Sequence, residues 1–529
     1  MTDATANMGN VFARTVARAP DHVGLVDADT GAQYTYGEWG AKVESLSSAL
    51  SSLGIGPGDR VGAIMRNRAE LATLYWATQY VGAVFVPLNY RAAPEEFHHL
   101  METAEPRLLF FSGESRDVVE QTRGELDIET FIYVDADTPG FAIPYDVFVK
   151  IATDEFEPTW VPADADSIIL HTSGTTGDPK GVRRSHFNTY AASVAQAYEL
   201  GWRDGESVLG LMSLFHTMGF HTLTTAVLLN MTWVAQGSFS PKETLDAVTE
   251  EGIENLHMVP SVYHDLFMSD IIDEYDLDCV RRVSYGGMVM RDPIQEHIKA
   301  KIDPESFVNH YGSTEVYTHS VCRHSGHDRC AGKPGINTDV RIVHLRQNGD
   351  HDPDDEVPEG DLGEVIVDAS SPETMVGYLG GAKPAIHDGW FFTGDLGYIS
   401  APGRIHVVGR VDDMILSGGE NIYPVEVEST LGRHPNVHEV AVVGLEHEKW
   451  NQAIAAFVYV AEPPKSVDFE ALAMELDTHC LESDSLADFK RPQKYVFVDE
   501  ISKSNVGKLL RRELRKPDID VTVFAEVTL

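Results

Sequence analysis

Through residues 1–330, short apolar runs alternate with stretches of helical pattern. Residues 60–65 (RVGAIM) and 83–89 (AVFVPLN) predict strands, and residues 70–80 between them predict a helix. Strands that alternate with helices form parallel sheets with helices on their faces. Later runs such as SIILHTSGTTG and FVNHYGSTE end in turns rich in glycine or polar residues. Because ligands bind at the carboxyl ends of such strands, the sequence predicts an α/β fold with one site built from distant segments.

The chain is long enough for more than one domain. It has 529 residues, more than a single hydrophobic core usually serves. From about residue 337 the pattern changes to short strands separated by turns (DVRIVHL, GEVIVDA, GRIHVVGR), which predicts a small β-rich subdomain. Beyond Asp412, helices and strands alternate over a tail large enough to be a domain. We therefore predict a large N-terminal domain of α/β sheets with a β-rich subdomain, residues 1–411, and a small α+β domain, residues 412–529.

The charge balance limits the range of partners. The chain contains 82 Asp and Glu residues against 41 Lys and Arg residues, a formal net charge of −41. Nucleic-acid binding needs clustered cations, so no nucleic-acid partner is expected, and an anionic membrane surface is a poor partner for the same reason. Such acidity is typical of a solvated surface, and adaptation to a salty environment is an alternative cause. A homodimer stays open as an alternative to a monomer.

The sequence predicts neither a membrane span nor secretion. The most apolar stretch, Leu223–Ala235, is interrupted by Asn230 and Thr232 and is too short to cross a bilayer. The N-terminal residues MTDATANMGN lack a basic end followed by an apolar segment. Four cysteines are too few for a disulfide framework in a chain of this size. We therefore expect a cytoplasmic protein.

The strongest local motif is HTSGTTGDPKGV, residues 171–182, which follows a predicted strand. Glycines let backbone N–H groups approach an anion, hydroxyls add donors, and Lys180 adds a positive charge. The spacing differs from the Walker pattern, so the motif predicts a phosphate loop of another kind, with a flexible surface loop as the alternative. The small residues of the loop are Thr172, Ser173, Gly174, Thr175, Thr176 and Gly177.

Further motifs follow in a recognisable order. They are YGSTE (311–315), WFFTGD (390–395), GRVDDMILSGGENIYPVEVE (409–428) and GKLLRREL (507–514). With the phosphate loop, this series resembles the adenylate-forming superfamily of acyl-CoA synthetases, adenylation domains and luciferases. The resemblance covers nearly the whole chain and is nearest to aryl-CoA ligases of the benzoate and chlorobenzoate type.

The resemblance implies how the phosphates of ATP are bound. Residues 172–180 would hold the β- and γ-phosphates, Glu315 would hold Mg²⁺, and Thr314 would lie near the α-phosphate. A hard dication prefers carboxylate and phosphate oxygens, so a glutamate beside a phosphate loop suits it. Taken alone, Glu315 could equally be an acid favoured by a helix N-terminus.

The resemblance also implies a nucleoside site. Tyr311 would stack on adenine, and the Ser284–Met288 turn would line the other side of the base through Gly286, Gly287 and Met288. Asp395 would accept hydrogen bonds from the ribose hydroxyls, with Arg410 assisting. A turn residue is the structural alternative for Asp395.

The implied reaction has two halves. A carboxylate attacks the α-phosphorus of ATP and releases pyrophosphate, and an acceptor then takes the acyl group from the acyl adenylate. Lys508 would bind the carboxylate and α-phosphate in the first half, unless it is simply a helix-end lysine. The small domain would then rotate about a hinge at Asp412, withdraw Lys508 and present Gly418 and Gly419 to a thiol arm.

The acceptor predicted by the resemblance is CoA. ADFKRP (487–492) and HEKWNQA (447–453) resemble the parts of CoA ligases that contact CoA. Phe489 or Trp450 would stack on its adenine, and Lys490 and Arg491 would bind its phosphates. Packing roles for the two aromatic residues, and transfer to an amine or a carrier protein, stay open. GYLGGAK has no serine after its glycines, so no carrier site is evident within the chain.

The acid is the least determined substrate. LMSLFHTMGF (211–220) resembles the segment that lines the acyl pocket of aryl-CoA ligases. The resemblance places His216 beside the carboxylate in a catalytic role, with a gate or a packed histidine as the alternative. We expect an aromatic acid, with a medium-chain fatty acid as the alternative. The implied pocket residues are His216, Thr217, Met218, Gly286, His310 and Tyr317.

The sequence admits two further interpretations, a zinc site and a scaffold without catalysis. A zinc site is one interpretation of HSVCRHSGHDRC (319–330), but its irregular spacing favours a solvated loop. A nucleotide-binding scaffold without catalysis is the non-enzyme alternative, and the presence of Lys508, Glu315 and Asp395 argues against it. The His and Cys residues of that loop are His319, Cys322, His324, His327 and Cys330.

Overall fold

The computed structural model divides the chain into two compact units. Unit 1 comprises Met1–Val340 and Val367–Phe391, and unit 2 comprises Arg341–Ile366 and Phe392–Leu529. Both units mix helices and strands, so the predicted α/β class is confirmed. The mobile-domain boundary at Asp412 stays a prediction. The structure describes residues 6–153, 156–172, 179–290, 292–323, 330–345, 351–460, 467–483, 486–503, 509–516, 519 and 521–529.

The elements are numbered here in chain order. The helices are α1 (Met8–Arg18), α2 (Tyr36–Ser52), α3 (Ala69–Val81), α4 (Pro94–Ala104), α5 (Arg116–Thr122), α6 (Tyr145–Phe148), α7 (His186–Leu200), α8 (Thr217–Leu228), α9 (Pro241–Glu250), α10 (Pro260–Phe267), α11 (Asp292–Ile302), α12 (Pro424–Leu431), α13 (Phe469–Leu481) and α14 (Arg511–Leu514). The first strands are β1 (Val23–Asp27), β2 (Ala32–Thr35), β3 (Arg60–Ile64), β4 (Val84–Leu88), β5 (Leu108–Phe111), β6 (Thr130–Tyr133), β7 (Ile143–Pro144), β8 (Asp166–Thr172), β9 (Lys180–Ser185), β10 (Ser207–Gly210), β11 (Thr232–Ala235), β12 (Asn255–Met258), β13 (Arg282–Gly286) and β14 (Ser306–Tyr311). The later strands are β15 (Ser320–Cys322), β16 (Cys330–Pro334), β17 (Val340–Val343), β18 (Gly363–Asp368), β19 (Gly377–Tyr378), β20 (Ile386–His387), β21 (Trp390–Ser400), β22 (Arg404–Arg410), β23 (Ile415–Ser417), β24 (Glu420–Ile422), β25 (Val437–His447), β26 (Asn451–Val460), β27 (Lys494–Val498) and β28 (Val523–Thr528).

The first sheet of unit 1 has a parallel centre. Its strands lie in the order β16-β15-β14-β13-β12-β10-β11-β1-β2. The six strands from β14 to β1 are parallel. At one end β2 pairs antiparallel with β1, and at the other end β15 pairs antiparallel with β14 and β16 with β15. The carboxyl ends of β12, β13 and β14 therefore lie side by side, where a doubly wound sheet binds its ligands.

The second sheet of unit 1 carries the phosphate-loop motif. Its order is β19-β9-β8-β4-β3-β5-β6-β7. The strands β8, β4, β3, β5, β6 and β7 are parallel, and β9 returns antiparallel beside β8. The predicted strands at 60–65 and 83–89 are β3 and β4, and the predicted helix between them is α3.

Alternate residues of the first sheet enter two different cores. Leu25 and Trp233 pack with residues of α1, α2, α3 and α8 on one face. Val26 and Val234 pack with residues of α9, α10 and α11 on the other. Side chains of a strand alternate between the two faces, so both faces of a parallel sheet must be covered. This three-layer packing fixes the strand ends that carry the candidate site.

Unit 2 begins with the predicted β-rich segment. There β17, β18, β21 and β22 lie side by side in that order. A second sheet has the order β24-β23-β26-β27-β28, with β25 paired to β26. Its two longest strands, β25 and β26, form an antiparallel pair that packs on α12 and α13.

Within the described parts of the chain, no helix combines the length and the apolar character that crossing a bilayer requires.

A buried ion pair stabilises the amino end of β13. The Arg282 guanidinium donates to both oxygens of Glu206 at 2.7 Å, and its side chain is only 3% exposed. Removing one partner of such a pair leaves an uncompensated buried charge. We expect Arg282→Met to lower the free energy of unfolding of unit 1 by about 3–5 kcal/mol. Urea denaturation followed by tryptophan fluorescence measures this change.

The neighbouring Arg281 provides the matched control. It pairs with Glu254 and Glu305 at 3.2 Å, but its side chain is 51% exposed. Exposed pairs contribute about 0–1 kcal/mol, so Arg281→Met should shift the urea midpoint little. Equal losses in the two variants would contradict the importance assigned to burial.

Candidate active site

The phosphate-loop motif connects two paired strands. Strands β8 and β9 are antiparallel, and the last residues to pair are Thr172 and Lys180. The loop between them therefore starts and ends at the same edge of the sheet. The predicted residues Ser173, Gly174, Thr175, Thr176 and Gly177 lie outside the described residues, so their role as phosphate ligands stays a prediction.

Lys180 and Glu315 meet at the ring of Tyr378. The Tyr378 hydroxyl donates to Glu315 Oε1 at 2.8 Å, and Lys180 Nζ lies 5.1 Å from the centre of the same ring. Burial, reinforced by the Glu315 carboxylate, raises the pKa of Tyr378, so its hydroxyl keeps its proton and orients the carboxylate. The predicted phosphate cation and the predicted metal carboxylate are thus brought together. Glu315 presents oxygen donors, which suits Mg²⁺.

The backbone that carries Glu315 is held by a buried cation. Arg184 on β9 donates to the carbonyl of Thr314 at 2.9 Å and to that of Glu373 at 3.0 Å. Its side chain is fully buried, and this burial lowers its pKa to about 10, so the guanidinium remains charged at neutral pH. The Glu315 carbonyl also accepts from the N–H of Met375 at 2.7 Å. The loop therefore has two independent attachments.

The predicted acid segment lies against the same loop. Thr217, the first residue of α8, donates through its hydroxyl to Thr314 Oγ1 at 3.1 Å. His216 precedes α8, and its ring lies 4.2 Å from that of Phe215. Burial lowers the pKa of His216 to about 4, so the ring is neutral at pH 7. No described residue lies within hydrogen-bond distance of its Nε2.

The other predicted pocket residues form a cluster of rings. The ring of Tyr317 lies between those of His221, at 4.1 Å, and His310, at 4.8 Å. Its hydroxyl donates to Gln196 Oε1, and His310 Nε2 lies 3.2 Å from Thr318 Oγ1. The pocket residues named from the sequence are therefore neighbours in space.

Gly286 allows a close approach between a strand end and a helix. A side-chain carbon at Gly286 would lie 2.6 Å from the His310 carbonyl and 3.1 Å from Met218 Cε. Both distances are shorter than ordinary contacts, so a larger residue would displace Met218. Because Gly286 has no side chain, Met218 and the His310 carbonyl can both lie close to its backbone.

The predicted adenine residues stand on adjacent strand ends. Tyr311 ends β14, and Gly286 ends β13 with Gly287 and Met288 just beyond it. The two strands are parallel, with Gly286 opposite His310, so Gly287 and Met288 follow beside Tyr311. Ser284 and Tyr285 belong to β13, so the predicted turn does not begin at Ser284. The ring of Tyr311 stands edge-on to that of His319 at 4.7 Å.

In unit 2, the predicted ribose residues form an ion pair. Asp395 and Arg410 are opposite each other on β21 and β22. Arg410 NH1 donates to Asp395 Oδ1 at 2.7 Å and to the Thr393 carbonyl at 2.8 Å. The role of Arg410 as an assistant to Asp395 is compatible with this contact, because the guanidinium fixes one carboxylate oxygen.

The predicted glycine gate adjoins Trp450. Gly418 and Gly419 have φ values of 61° and 91°, in the left-handed region that glycine adopts without strain. The N–H of Gly418 donates to the Trp450 carbonyl at 2.9 Å, and the Trp450 ring stacks on His447 at 4.5 Å.

The predicted CoA cations are bound to carboxylates in this structure. Lys490 donates to Glu426, and Arg491 donates to Asp477 at 2.5 Å. Phe489 is 52% exposed. The predicted hinge residue Asp412 is exposed, and Lys508 lies outside the described residues.

The cysteines of the predicted solvated loop are close together. Cys322 on β15 and Cys330 on β16 are buried, and their Sγ atoms lie 3.4 Å apart. His319, Cys322 and Cys330 are buried, and the two cysteines lie in strands, so the prediction of a solvated loop is wrong for these residues. His324 and His327 lie outside the described residues, so a zinc site stays a prediction.

Sequence reasoning missed the residues that position the predicted ones. Arg184 and Tyr378 hold the Glu315 loop, and Gln196 holds Tyr317. The available signal for Arg184 was the pair of adjacent arginines, Arg183 and Arg184, near the end of β9. Tyr378 occurs in GYLGGAK without any distinguishing pattern. Their partners are distant in sequence, so only the fold identifies them.

Buried neutral histidines make the stability of the protein sensitive to acid. Burial lowers the pKa to about 4 for His216 and His257 and to about 3 for His310. Between pH 6.5 and about 4, the unfolded chain binds protons at these residues and the folded chain does not, so stability falls as the pH falls. Burial raises the pKa of Glu373 to about 7 and also raises the pKa of Asp29, Glu96 and Glu364, so these carboxyl groups oppose the trend. We expect a loss approaching 1.4 kcal/mol per pH unit for each such histidine, measured as urea midpoints from pH 8 to 5.

The proton count tests the cause of this loss. His186, on α7, is also buried, and its pKa is lowered to about 4. His186→Gln should remove about one proton of the uptake that accompanies unfolding at pH 5. The same substitution at His264, whose side chain is 40% exposed, serves as the control. An identical decrease in both variants would contradict the explanation.

Comparison with known proteins agrees with this geometry. Residues 12–379 match the AMP-binding enzyme family, and residues 426–508 match the AMP-binding enzyme C-terminal domain. The chain is 31% identical over 509 residues to a 4-chlorobenzoate–CoA ligase of Arthrobacter sp., covering 94% of this chain and 93% of the relative. It is 30% identical over 499 residues to the fatty acid–[acyl-carrier-protein] ligase ScoC of Streptomyces coeruleorubidus, covering 92% of each.

A solved structure shares the fold. The ATP-bound crystal structure of MatB from Rhodopseudomonas palustris superimposes with a TM-score of 0.84 at 26% identity, covering 96% of this chain and 98% of that one. The predicted enzyme class, an AMP-forming acid ligase, is thereby confirmed, and the chain belongs to the AMP-binding enzyme family of adenylate-forming enzymes.

Proposed function

We propose that the protein is an ATP-dependent acid–CoA ligase that activates an aromatic carboxylic acid. The observation that carries this proposal is the meeting of Thr217, Thr314 and Glu315 beside the ring cluster of His310 and Tyr317. A planar, largely apolar lining suits the body of an aromatic acid, and the adjoining polar loop suits its carboxylate. The similarity to a 4-chlorobenzoate–CoA ligase supports the same choice.

In the first half-reaction, a carboxylate oxygen bonds to the α-phosphorus of ATP and the bond to pyrophosphate breaks. Lys180 and the residues around it would hold the leaving phosphates, and Lys508 would stabilise charge on the α-phosphate. Glu315, oriented by Tyr378, would hold Mg²⁺, which neutralises phosphate charge when bound. Thr314 would donate near the α-phosphate. His216 enters as a neutral ring, so it orients the carboxylate rather than attracting it by charge.

In the nucleoside part of the site, stacking would bind the adenine and hydrogen bonds would bind the ribose. Tyr311 and the Ser284–Met288 turn would enclose adenine, because they stand on adjacent strand ends. Asp395, with one oxygen held by Arg410, would accept from the ribose hydroxyls through its other lone pairs.

In the second half-reaction, a thiol attacks the acyl carbon and AMP leaves. The small domain would turn at Asp412 and bring Gly418 and Gly419 to the thiol. Trp450 or Phe489 would stack on the adenine of CoA, while Lys490 and Arg491 would bind its phosphates. Since both cations are bound to carboxylates, CoA would have to replace Glu426 and Asp477 as their partners.

A second candidate is transfer of a fatty acyl group to a carrier protein. The observation that favours it is the 30% identity to a fatty acid–[acyl-carrier-protein] ligase over 92% of both chains. A carrier would be a separate protein.

A cytoplasmic location is part of the proposal. The chain has only four cysteines, too few for a disulfide framework in a protein of this size, which suits a reducing compartment. Fractionation of cells that express the tagged chain tests this location.

The test of the proposed function is a pyrophosphate-release screen over benzoates, phenylpropenoates and alkanoates of 6–16 carbons. Each acid is assayed with ATP and Mg²⁺, alone and with CoA, and the products are identified by mass spectrometry. An aryl-CoA thioester formed only with CoA supports the proposal. Activity confined to alkanoates favours the second candidate, and no pyrophosphate release from any acid overturns both.

Lys508 should be needed in only one half-reaction. Removing a positive group that stabilises the α-phosphate should slow adenylation at least about a hundredfold, because its charge acts in that transition state. Lys508→Ala should leave thioester formation from a supplied acyl adenylate within about threefold, since the residue has then withdrawn. Single-turnover assays of each half measure the two effects. Equal losses in both would contradict the assigned role.

Gly419 provides the reciprocal test. Gly419→Leu should block the thiol and slow the second half-reaction, while adenylation is retained. Its φ of 91° strains any side chain, so Gly419→Ala is the matched control, with the same strain and little bulk. A second half-reaction slowed equally in both variants would assign the loss to strain and not to obstruction.

A further inference from the structure

His257 faces the same side of the first sheet as the predicted acid pocket. Its partner on β13 is Ser284, and two residues further along that strand Gly286 is opposite His310. Side chains two residues apart on a strand share a face, and so do partners across neighbouring parallel strands. His257, Gly286 and His310 are therefore on the face of the sheet that α8 covers. Met218 of α8 lies directly against Gly286.

The hydrogen bonds of Ser284 fix the tautomer of His257. The Ser284 hydroxyl lies 3.2 Å from the Leu256 carbonyl and 2.8 Å from His257 Nδ1. A carbonyl only accepts, and a serine hydroxyl has one hydrogen, so both contacts are hydrogen bonds only when Nδ1–H donates to Ser284. The other nitrogen of His257, Nε2, then carries no hydrogen and is an acceptor.

This acceptor has no partner within the described chain. His257 is 1% exposed, and its Nε2 forms no hydrogen bond with any described residue. Burial lowers the pKa of the ring to about 4, so protonation does not turn Nε2 into a donor at neutral pH. A buried acceptor without a donor is costly and uncommon in native proteins.

Two aromatic rings lie near His257, and one of them belongs to the predicted acid pocket. The His310 ring lies 6.3 Å away and perpendicular to it, and the Trp202 ring lies 6.1 Å away. Tyr317 in turn lies 4.8 Å from His310. A flat molecule that enters beside Met218 and His310 would present its far edge to His257.

We propose that His257 Nε2 accepts a hydrogen bond from an O–H or N–H group on the ring of the acid, so that the substrates are donor-bearing aromatic acids such as hydroxybenzoates or hydroxyphenylpropenoates. The inference rests on the proposed function, because it needs the acid to occupy the face shared by Gly286 and His310. It assigns His257 as a specificity-determining residue and Ser284 as the residue that positions it.

The test compares acids of equal shape. Benzoates and phenylpropenoates with a hydroxyl or a methyl at the ortho, meta or para position are assayed for kcat/KM of CoA-dependent AMP release. At one ring position, the hydroxyl acid should exceed the methyl acid by about ten- to a hundredfold, because the methyl group leaves the acceptor unsatisfied. His257→Phe keeps a flat ring and removes the acceptor, so this ratio should fall below about threefold.

The variants separate selectivity from folding. His257→Gln offers a carbonyl acceptor in place of Nε2 and should keep part of the preference. Ser284→Ala frees the tautomer and should reduce the preference while His257 remains. The matched control is His186→Phe, another buried histidine, whose Nδ1 accepts from the Met8 N–H at 3.1 Å; its hydroxyl-to-methyl ratio should equal that of the wild type.

The outcomes distinguish this inference from the proposed function. CoA-dependent turnover with no hydroxyl preference at any position overturns the inference and leaves the proposed function intact. A preference that survives His257→Phe, or that His186→Phe abolishes equally, also overturns it. If no aromatic acid gives CoA-dependent turnover, the proposed function fails, and the inference fails with it.

Discussion

One fully buried guanidinium joins segments of unit 1 that are distant in sequence. Arg184, on the strand that ends the phosphate-loop motif, donates to carbonyls of Thr314 and Glu373. Each carbonyl would cost about 1–3 kcal/mol if it were left buried without a donor. The loop that carries Glu315 is therefore fixed relative to β9, and Tyr378 then sets the orientation of the carboxylate. The hydrogen bond from the Met375 N–H to the Glu315 carbonyl is the second attachment of this loop.

The two sides of the candidate site differ in charge: the phosphate side carries positive side chains, and the acid side carries neutral rings. Arg184 and Lys180 supply local positive charge in a chain whose formal net charge is −41. On the acid side, burial keeps His216, His257 and His310 neutral, so they contribute direction and polarity without charge. Under the proposed function, an aromatic acid would be attracted at its carboxylate end and selected at its ring end. The division explains how an acidic protein can bind ATP and a carboxylate together.

Much of the fold and the outline of the site could be predicted from the sequence. Strands β3 and β4 and helix α3 appear where periodicity placed them, because their patterns are local. The motifs that contain Lys180, Glu315 and Tyr311 could be recognised because they resemble those of a known family in their order along the chain. Arg184, Tyr378 and His257 were not, because each acts through a partner more than 20 residues away that no local pattern reveals. The role proposed for Lys508 would depend on domain movement, and a sequence motif does not encode the geometry of such a movement.

The carboxylate partners of Lys490 and Arg491 bear on how CoA would be selected. Both cations are bound, by Glu426 and Asp477, so a phosphate would exchange one anion for another rather than neutralise a free charge. The gain from such an exchange is small, because partly exposed ion pairs contribute about 0–1 kcal/mol each. Charge alone would then distinguish CoA poorly from other phosphates. Selectivity would rest on features that only CoA combines, an adenine to stack on an aromatic side chain and a slender thiol arm that fits beside Gly418 and Gly419.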